Sequence, residues 1–80
     1  METTVAKGLA VLELLARSDE PMRLSAIAEQ LGLQKSNCHR LLATLTALDF
    51  VRREGAGGRY APSLKVWELG AAVVARHPVR

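Results

Sequence analysis

The sequence has little of what small proteins use to reinforce themselves. Cysteine occurs once, at Cys38, and there is one phenylalanine, one tryptophan and one tyrosine. A single thiol excludes an internal disulfide framework. With only His39 and His77 as further soft ligands, it does not make the four-ligand set of a structural zinc site. Long hydrophobic runs are missing too: the uncharged stretch Leu69 to Ala75 falls far short of the ~20 residues a spanning helix needs. Met1-Glu2-Thr3 carries no basic region ahead of an apolar run. The chain reads as soluble and cytoplasmic, with no membrane partner. Paired carboxylates in an apolar setting and a nucleophile beside a base are absent, so no catalytic residue is assigned and an enzyme is not expected. The Gly55 to Gly58 run lacks both glycine spacings of nucleotide-binding loops and reads as a hairpin tip. No cofactor and no metal are implied.

What is present is a helical composition. Eighty residues allow one compact core, and 49% apolar residues with so few aromatics mean that leucine, alanine and valine build it. Lysine plus arginine number 11 against 8 acidic residues, a net charge of +3, which favours an acidic partner without naming it. Domains below about 70–80 residues commonly need reinforcement, and with disulfide and metal excluded, a second copy is the remaining source.

Apolar residues Val5, Leu9, Leu12 and Ala16 recur at helical spacing after Thr4, an acceptable N-cap, and predict a first helix over 4–16. Val11, Leu14 and Leu15 widen its apolar surface beyond one stripe, so this second side is expected to face another subunit. Pro21 breaks the pattern. Ser25 is expected to cap a short helix over 26–31, which Gly32 ends in a left-handed position. A third helix over 35–48 places Cys38, Leu41, Leu42, Leu45 and Leu48 on one buried face. Its other face carries Ser36, Asn37, Arg40 and Thr44, flanked by Lys35 and His39, with no acid. Residues 50–61 read as two short strands around the glycine turn, with Arg52, Arg53 and Arg59 on the rim. Ser63 caps a last helix over 64–75 with two apolar stripes, one of Leu64, Trp67, Ala71 and Val74, the other of Val66, Leu69 and Val73. Trp67 and Tyr60 are expected in the core.

This order, mainly α with a small β-hairpin, is that of a winged helix-turn-helix. Ala28, Gly32 and Cys38, framed by Ile27, Leu31, Leu33 and Leu41, supply the small helix contact, the turn glycine and the apolar anchor of that motif. The segments 5–15, 33–42 and 50–52, the pair Arg59-Tyr60 and the pair Leu69-Gly70 resemble the DNA-binding domain of the IclR family of bacterial transcription regulators. The resemblance spans roughly Thr4 to Val74, with Asn37-Cys38 standing where Thr-Val is commoner. It implies a DNA-binding domain over 1–76, whose segment 63–76 begins a linker helix. Residues 77–80 would be a tail or truncated linker to an effector domain outside this chain, and a small-molecule effector would act only through that domain.

The residues make the same case physically. A helix over 35–48 is ~21 Å long and fits the major groove. Arg40 matches guanine O6 and N7, and Asn37 matches adenine N6 and N7. Lys35, Ser36 and His39 sit near the helix start, where phosphate is met, and Arg52, Arg53 and Arg59 put charge where a neighbouring phosphate strand or a narrow minor groove runs. The duller alternatives are a solvated helix face and basic residues that blunt an edge strand. A winged helix that binds protein is the functional rival, but such a module tends to carry acid or apolar groups on its third helix. Cys38, on the apolar face, reads as a buried thiol without a redox task. The unmatched apolar stripes of the first and last helices, in line with the resemblance, point to a homodimer on a roughly palindromic site.

Overall fold

A computed structural model describes residues 1–77 of the chain. The order is α1 (Thr3–Arg17), β1 (Met22–Arg23), α2 (Leu24–Leu31), α3 (Lys35–Ala47), β2 (Val51–Glu54), β3 (Arg59–Pro62) and α4 (Leu64–Arg76). The tail expected over 77–80 lies, from residue 78 on, outside the described residues. Three helices and a three-stranded antiparallel sheet of order β1-β3-β2 make the winged helix-turn-helix that the sequence predicts.

The cap of α1 is Glu2, whose carboxylate accepts from the Thr4 N–H at 3.3 Å, rather than Thr4 itself. Orientation differs more than the boundary does. Val11 and Leu15, expected to face another subunit, are buried in the chain's own core, while Val5 and Leu9 of the expected inner stripe are 59% and 60% exposed. A helix with apolar residues on two sides has two nearly equivalent ways to face inward, and only the tertiary packing decides between them.

The core joins Val11 and Leu15 to Ile27, Ala28, Cys38, Leu41, Leu42, Val51 and Tyr60. Between α2 and α3 the chain reverses through Gly32, at φ +66°, with the Gly32 N–H bonded to Glu29 O at 3.3 Å and the Leu33 N–H to Ala28 O at 2.9 Å. Paired bonds of this kind satisfy the last carbonyls of a helix and need the left-handed residue between them. Ser25 lies inside the first turn of α2 and is not its cap; that position belongs to Arg23, which makes no side-chain cap bond. The buried face of α3 fades along its length. Cys38, Leu41 and Leu42 are buried, Leu45 is half-buried against the core, and Leu48 is 54% exposed beyond the helix end.

The end of α3 repeats the pattern at Gly32. The Phe50 N–H reaches Leu45 O at 2.9 Å and the Asp49 N–H reaches Thr46 O at 3.0 Å, with Asp49 at φ +68° in the place glycine usually takes. Ser63 ties this corner to the start of α4. Its hydroxyl donates to Asp49 O and accepts from the Lys65 N–H at 3.1 Å, and its own N–H bonds Phe50 O at 2.9 Å. Lys65 Nζ donates to Leu48 O at 3.1 Å and stands 4.5 Å over the Phe50 ring, placing a cation at the negative end of α3. Beyond that corner α4 buries no residue. Trp67, expected in the core, is 68% exposed, whereas Tyr60 is buried as expected.

Candidate nucleic-acid interface

At 3.6 residues per turn, Ser36, Arg40, Ala43 and Ala47 fall on the side of α3 opposite Cys38, Leu41 and Leu42, and all four are exposed. Ser36 and Arg40 thus form the polar crest of the helix. Lys35 is exposed in the first turn, where Gln34 makes no side-chain cap bond and leaves the leading N–H groups open. The remaining predicted residues take the flanks. Asn37 is half-buried, and Thr44 is exposed and lines an apolar groove with Val5, Gly8 and Leu9 of α1. His39 sits on the opposite flank, lining a trough with Arg53 and Tyr60. The six polar positions assigned to α3 therefore spread over a crest and two flanks rather than one plane.

The three arginines of the hairpin divide between the two faces of the sheet. The register pairs Arg53 with Tyr60 and Arg52 with Ala61, and side chains alternate along a strand. Arg53 therefore shares a face with the buried Tyr60 and lies 5.4 Å from its ring centroid, a contact that holds the guanidinium toward α3. Arg52 points the other way. It pairs with Glu54 and lines a hollow with Asp19 and Glu20, so its charge is locally offset. Arg59, exposed on the central strand, stands in register between Arg23 and Glu54. The expectation of one rim bearing Arg52, Arg53 and Arg59 together is corrected: alternation sends Arg52, and Arg59 opposite Glu54, to the sheet face away from Arg53.

Sequence reasoning missed Arg23. Two residues are too few for an alternation signal, yet β1 pairs Met22 with Tyr60 and Arg23 with Arg59, and so builds a third strand beside the hairpin. Arg23 Nη1 donates to Gly57 O at 3.1 Å, joining the strand to the tip of the wing. The only trace of this in the sequence is a basic residue directly before a helix start.

Chemically, the surface offers donors and positive charge with no acid on α3. Cys38 takes no part: it is buried, 3.9 Å from Leu24 O, and burial pushes its thiol up and keeps it neutral. Thr46 Oγ1 is buried without a hydrogen-bond partner among the described residues, in a second, adjoining hollow that His39 and Arg53 also line. Among the described residues, no group of three or more His, Cys, Asp and Glu is placed to hold a metal ion. Nor is any helix there long and apolar enough to cross a membrane.

The chain as a whole is similar to known proteins. The profile of the IclR helix-turn-helix domain matches residues 4–55. The Glycerol operon regulatory protein of Streptomyces coelicolor is 35% identical over 77 residues, 96% of this chain and 30% of that protein. The Transcriptional repressor IclR of Escherichia coli is 35% identical over 69 residues, 86% of this chain and 25% of that protein. The chain thus spans about a third or less of the length of these relatives. Among solved structures, an IclR-type transcriptional regulator from Alicyclobacillus acidocaldarius superimposes with a TM-score of 0.89 at 34% identity, over 98% of this chain and 32% of that one. An IclR family transcriptional regulator from Brucella abortus gives 0.87 at 28% identity, over 98% of this chain and 30% of that one.

Proposed function

The chain belongs to the IclR helix-turn-helix family, and from that premise we propose that it binds double-stranded DNA sequence-specifically as the reading domain of a bacterial transcription regulator. The single observation that carries the reading is the acid-free crest of α3, with Arg40 and Ser36 fully presented opposite a buried apolar face. Placed in the major groove, Arg40 bonds guanine O6 and N7, and Asn37, from its flank, reaches an adjacent base edge. Lys35 and Ser36 meet phosphate at the helix start, His39 and Thr44 border the groove on either side, and Arg53 brings the wing to the neighbouring backbone, with Arg59 adding charge from the other face of the sheet. Arg52 contributes only where its pairing with Glu54 opens. Acid-free α3 also weighs against a protein-binding winged helix. The domain spans 1–76, carries out no catalysis, works in the cytoplasm, and hands any small-molecule control to the remainder of a longer protein.

The reading includes a homodimer. α4 exposes Leu64, Trp67, Leu69, Val73 and Val74, and α1 exposes Val5 and Leu9 beside an apolar groove completed by Leu41, Leu45 and Leu48. An isolated helix of 13 residues is marginal in water, so α4, anchored only at its start and burying no residue, stands to be stabilised by a partner. A second copy, joined through α1 and α4, supplies one and presents two recognition helices to a palindromic site. Selection from a random duplex pool at fixed salt tests both halves. The expected result is an enriched inverted repeat with half-sites about one helical turn, 10–10.5 base pairs, apart. Recovery of unenriched sequence would contradict specific reading, and an enriched single half-site would contradict the dimer.

A further inference from the structure

Three basic or hydrogen-donating side chains from three different elements border one trough. Arg23 comes from β1, His39 from α3 and Arg53 from β2; Ser25 and Leu24 from the start of α2 close one end, Gly57 and Gly58 of the wing tip the other, and Tyr60 lies along it. The trough holds about 410 Å³. Its opening at the wing depends on missing side chains: a Cβ at Gly58 would stand 3.1 Å from Arg53 Nη2, and one at Gly57 would stand 3.8 Å from Arg23 Nη2. The two guanidiniums therefore lie against the wing tip, Arg53 beside Gly58 and Arg23 beside Gly57. Among the described residues no carboxylate lines it. Asp19, Glu20 and Glu54 line the separate hollow with Arg52 instead.

We propose that Arg23, His39 and Arg53 form a seat for one DNA backbone phosphate, with Arg23 as its principal ligand. The proposal rests on the DNA reading above and adds to it a residue and a location. A phosphate takes a guanidinium bidentately, and Arg23 spends one N–H on the Gly57 carbonyl while the rest of its fork is free to face the trough. The bond to Gly57 sets the guanidinium in place before DNA arrives, so less side-chain freedom is lost on binding. Arg53 is held likewise by the Tyr60 ring. His39 donates a ring N–H from the α3 flank, which puts the seat directly beside the helix that reads bases. The seated phosphate fixes how deeply α3 enters the groove and carries no sequence information of its own.

The test compares the parent chain with Arg23→Ala and Arg23→Lys on a selected duplex and on a mixed-sequence duplex, across a range of salt. Each phosphate neutralised contributes about 0.9 to the slope of log K against log salt concentration. Arg23→Ala is expected to flatten that slope by about 0.9 on both duplexes and to weaken both by the same factor, roughly ten- to a hundredfold for a lost charge-assisted bond. Arg23→Lys, which keeps the charge and loses the fork, is expected to restore the slope and only part of the affinity. Arg23 is exposed, so the thermal midpoint of the lysine variant is expected to match the parent's. An unchanged slope in Arg23→Ala, or a loss confined to the selected duplex, overturns the seat alone. Failure of the parent to bind either duplex at low salt overturns the seat and the DNA reading together.

Discussion

α3 and α4 have the same length, 13 residues, and both are amphipathic, yet they stand at opposite ends of the molecule's packing. α3 seals Cys38, Leu41 and Leu42 into the core and shows polar, acid-free side chains outward; α4 buries nothing and shows Trp67, Leu69, Val73 and Val74 outward. The difference teaches what each exposed face is for. A polar cationic face loses nothing by standing in water until an anionic polymer meets it. An apolar face of this size is costly in water and is expected to be covered by another protein surface. α3 is also fixed at both ends, by the Gly32 turn before it and the Asp49, Ser63 and Lys65 corner after it, while α4 is anchored only at its start.

The sharpest way to break this contrast is to truncate matched side chains on the two helices. Leu42 is fully buried, and Leu42→Ala is expected to cost about 2–5 kcal/mol, enough to unfold much of a domain this small. Thermal or urea unfolding reads it, and an unchanged midpoint would show that α3 does not organise the core. Leu45→Ala, at a half-buried position, is expected to cost less than Leu42→Ala in the same measurement.

A smaller effect sharpens the claim that α3 is held from both ends. Asp49 occupies a left-handed conformation that a side chain disfavours, so Asp49→Gly is expected to raise stability by up to about 1 kcal/mol, provided the turn keeps its geometry. Gly32→Ala is expected to lower stability by a similar amount. No heavy atom lies within 4 Å of the added Cβ, so the whole effect comes from the backbone. Equal stability in both variants would show that the two turns do not constrain α3.

The smallest effect on the folded chain belongs to α4. Trp67→Ala is expected to move the unfolding of the dilute chain by no more than about 0.5 kcal/mol, because the ring is mostly exposed, while it weakens self-association. Sedimentation at several concentrations reads the second part. A parent chain that stays monomeric at high concentration, or a variant that associates as tightly as the parent, would contradict the use assigned to α4.

The same contrast explains what could be read from the sequence. The α3 face was legible because its apolar residues follow one period and its polar crest carries no acid. Gly32 and Ser63 were legible because a left-handed helix end favours glycine and a helix start favours a short side-chain acceptor. The inward side of α1 was not, since Val5 and Leu9 compete with Val11 and Leu15 on composition alone, and packing against α2 and α3 settled it. Trp67 was misplaced for the related reason that an apolar stripe does not say whether its partner lies in the same chain. Arg23 carries no alternation signal because its strand has two residues, and the adjacency of Arg52 and Arg53 in sequence conceals that they lie on opposite faces of their strand.

If α3 reads bases through Arg40, loss of that side chain must weaken one sequence and spare the others. Arg40→Ala and the parent chain are titrated, at one fixed salt concentration, against a selected duplex and against the same duplex scrambled. The account predicts a loss of about 1–3 kcal/mol on the selected duplex, little change on the scrambled one, and relaxed preference at a single base position. A loss of equal size on both duplexes would contradict it and make Arg40 one more contact to the backbone.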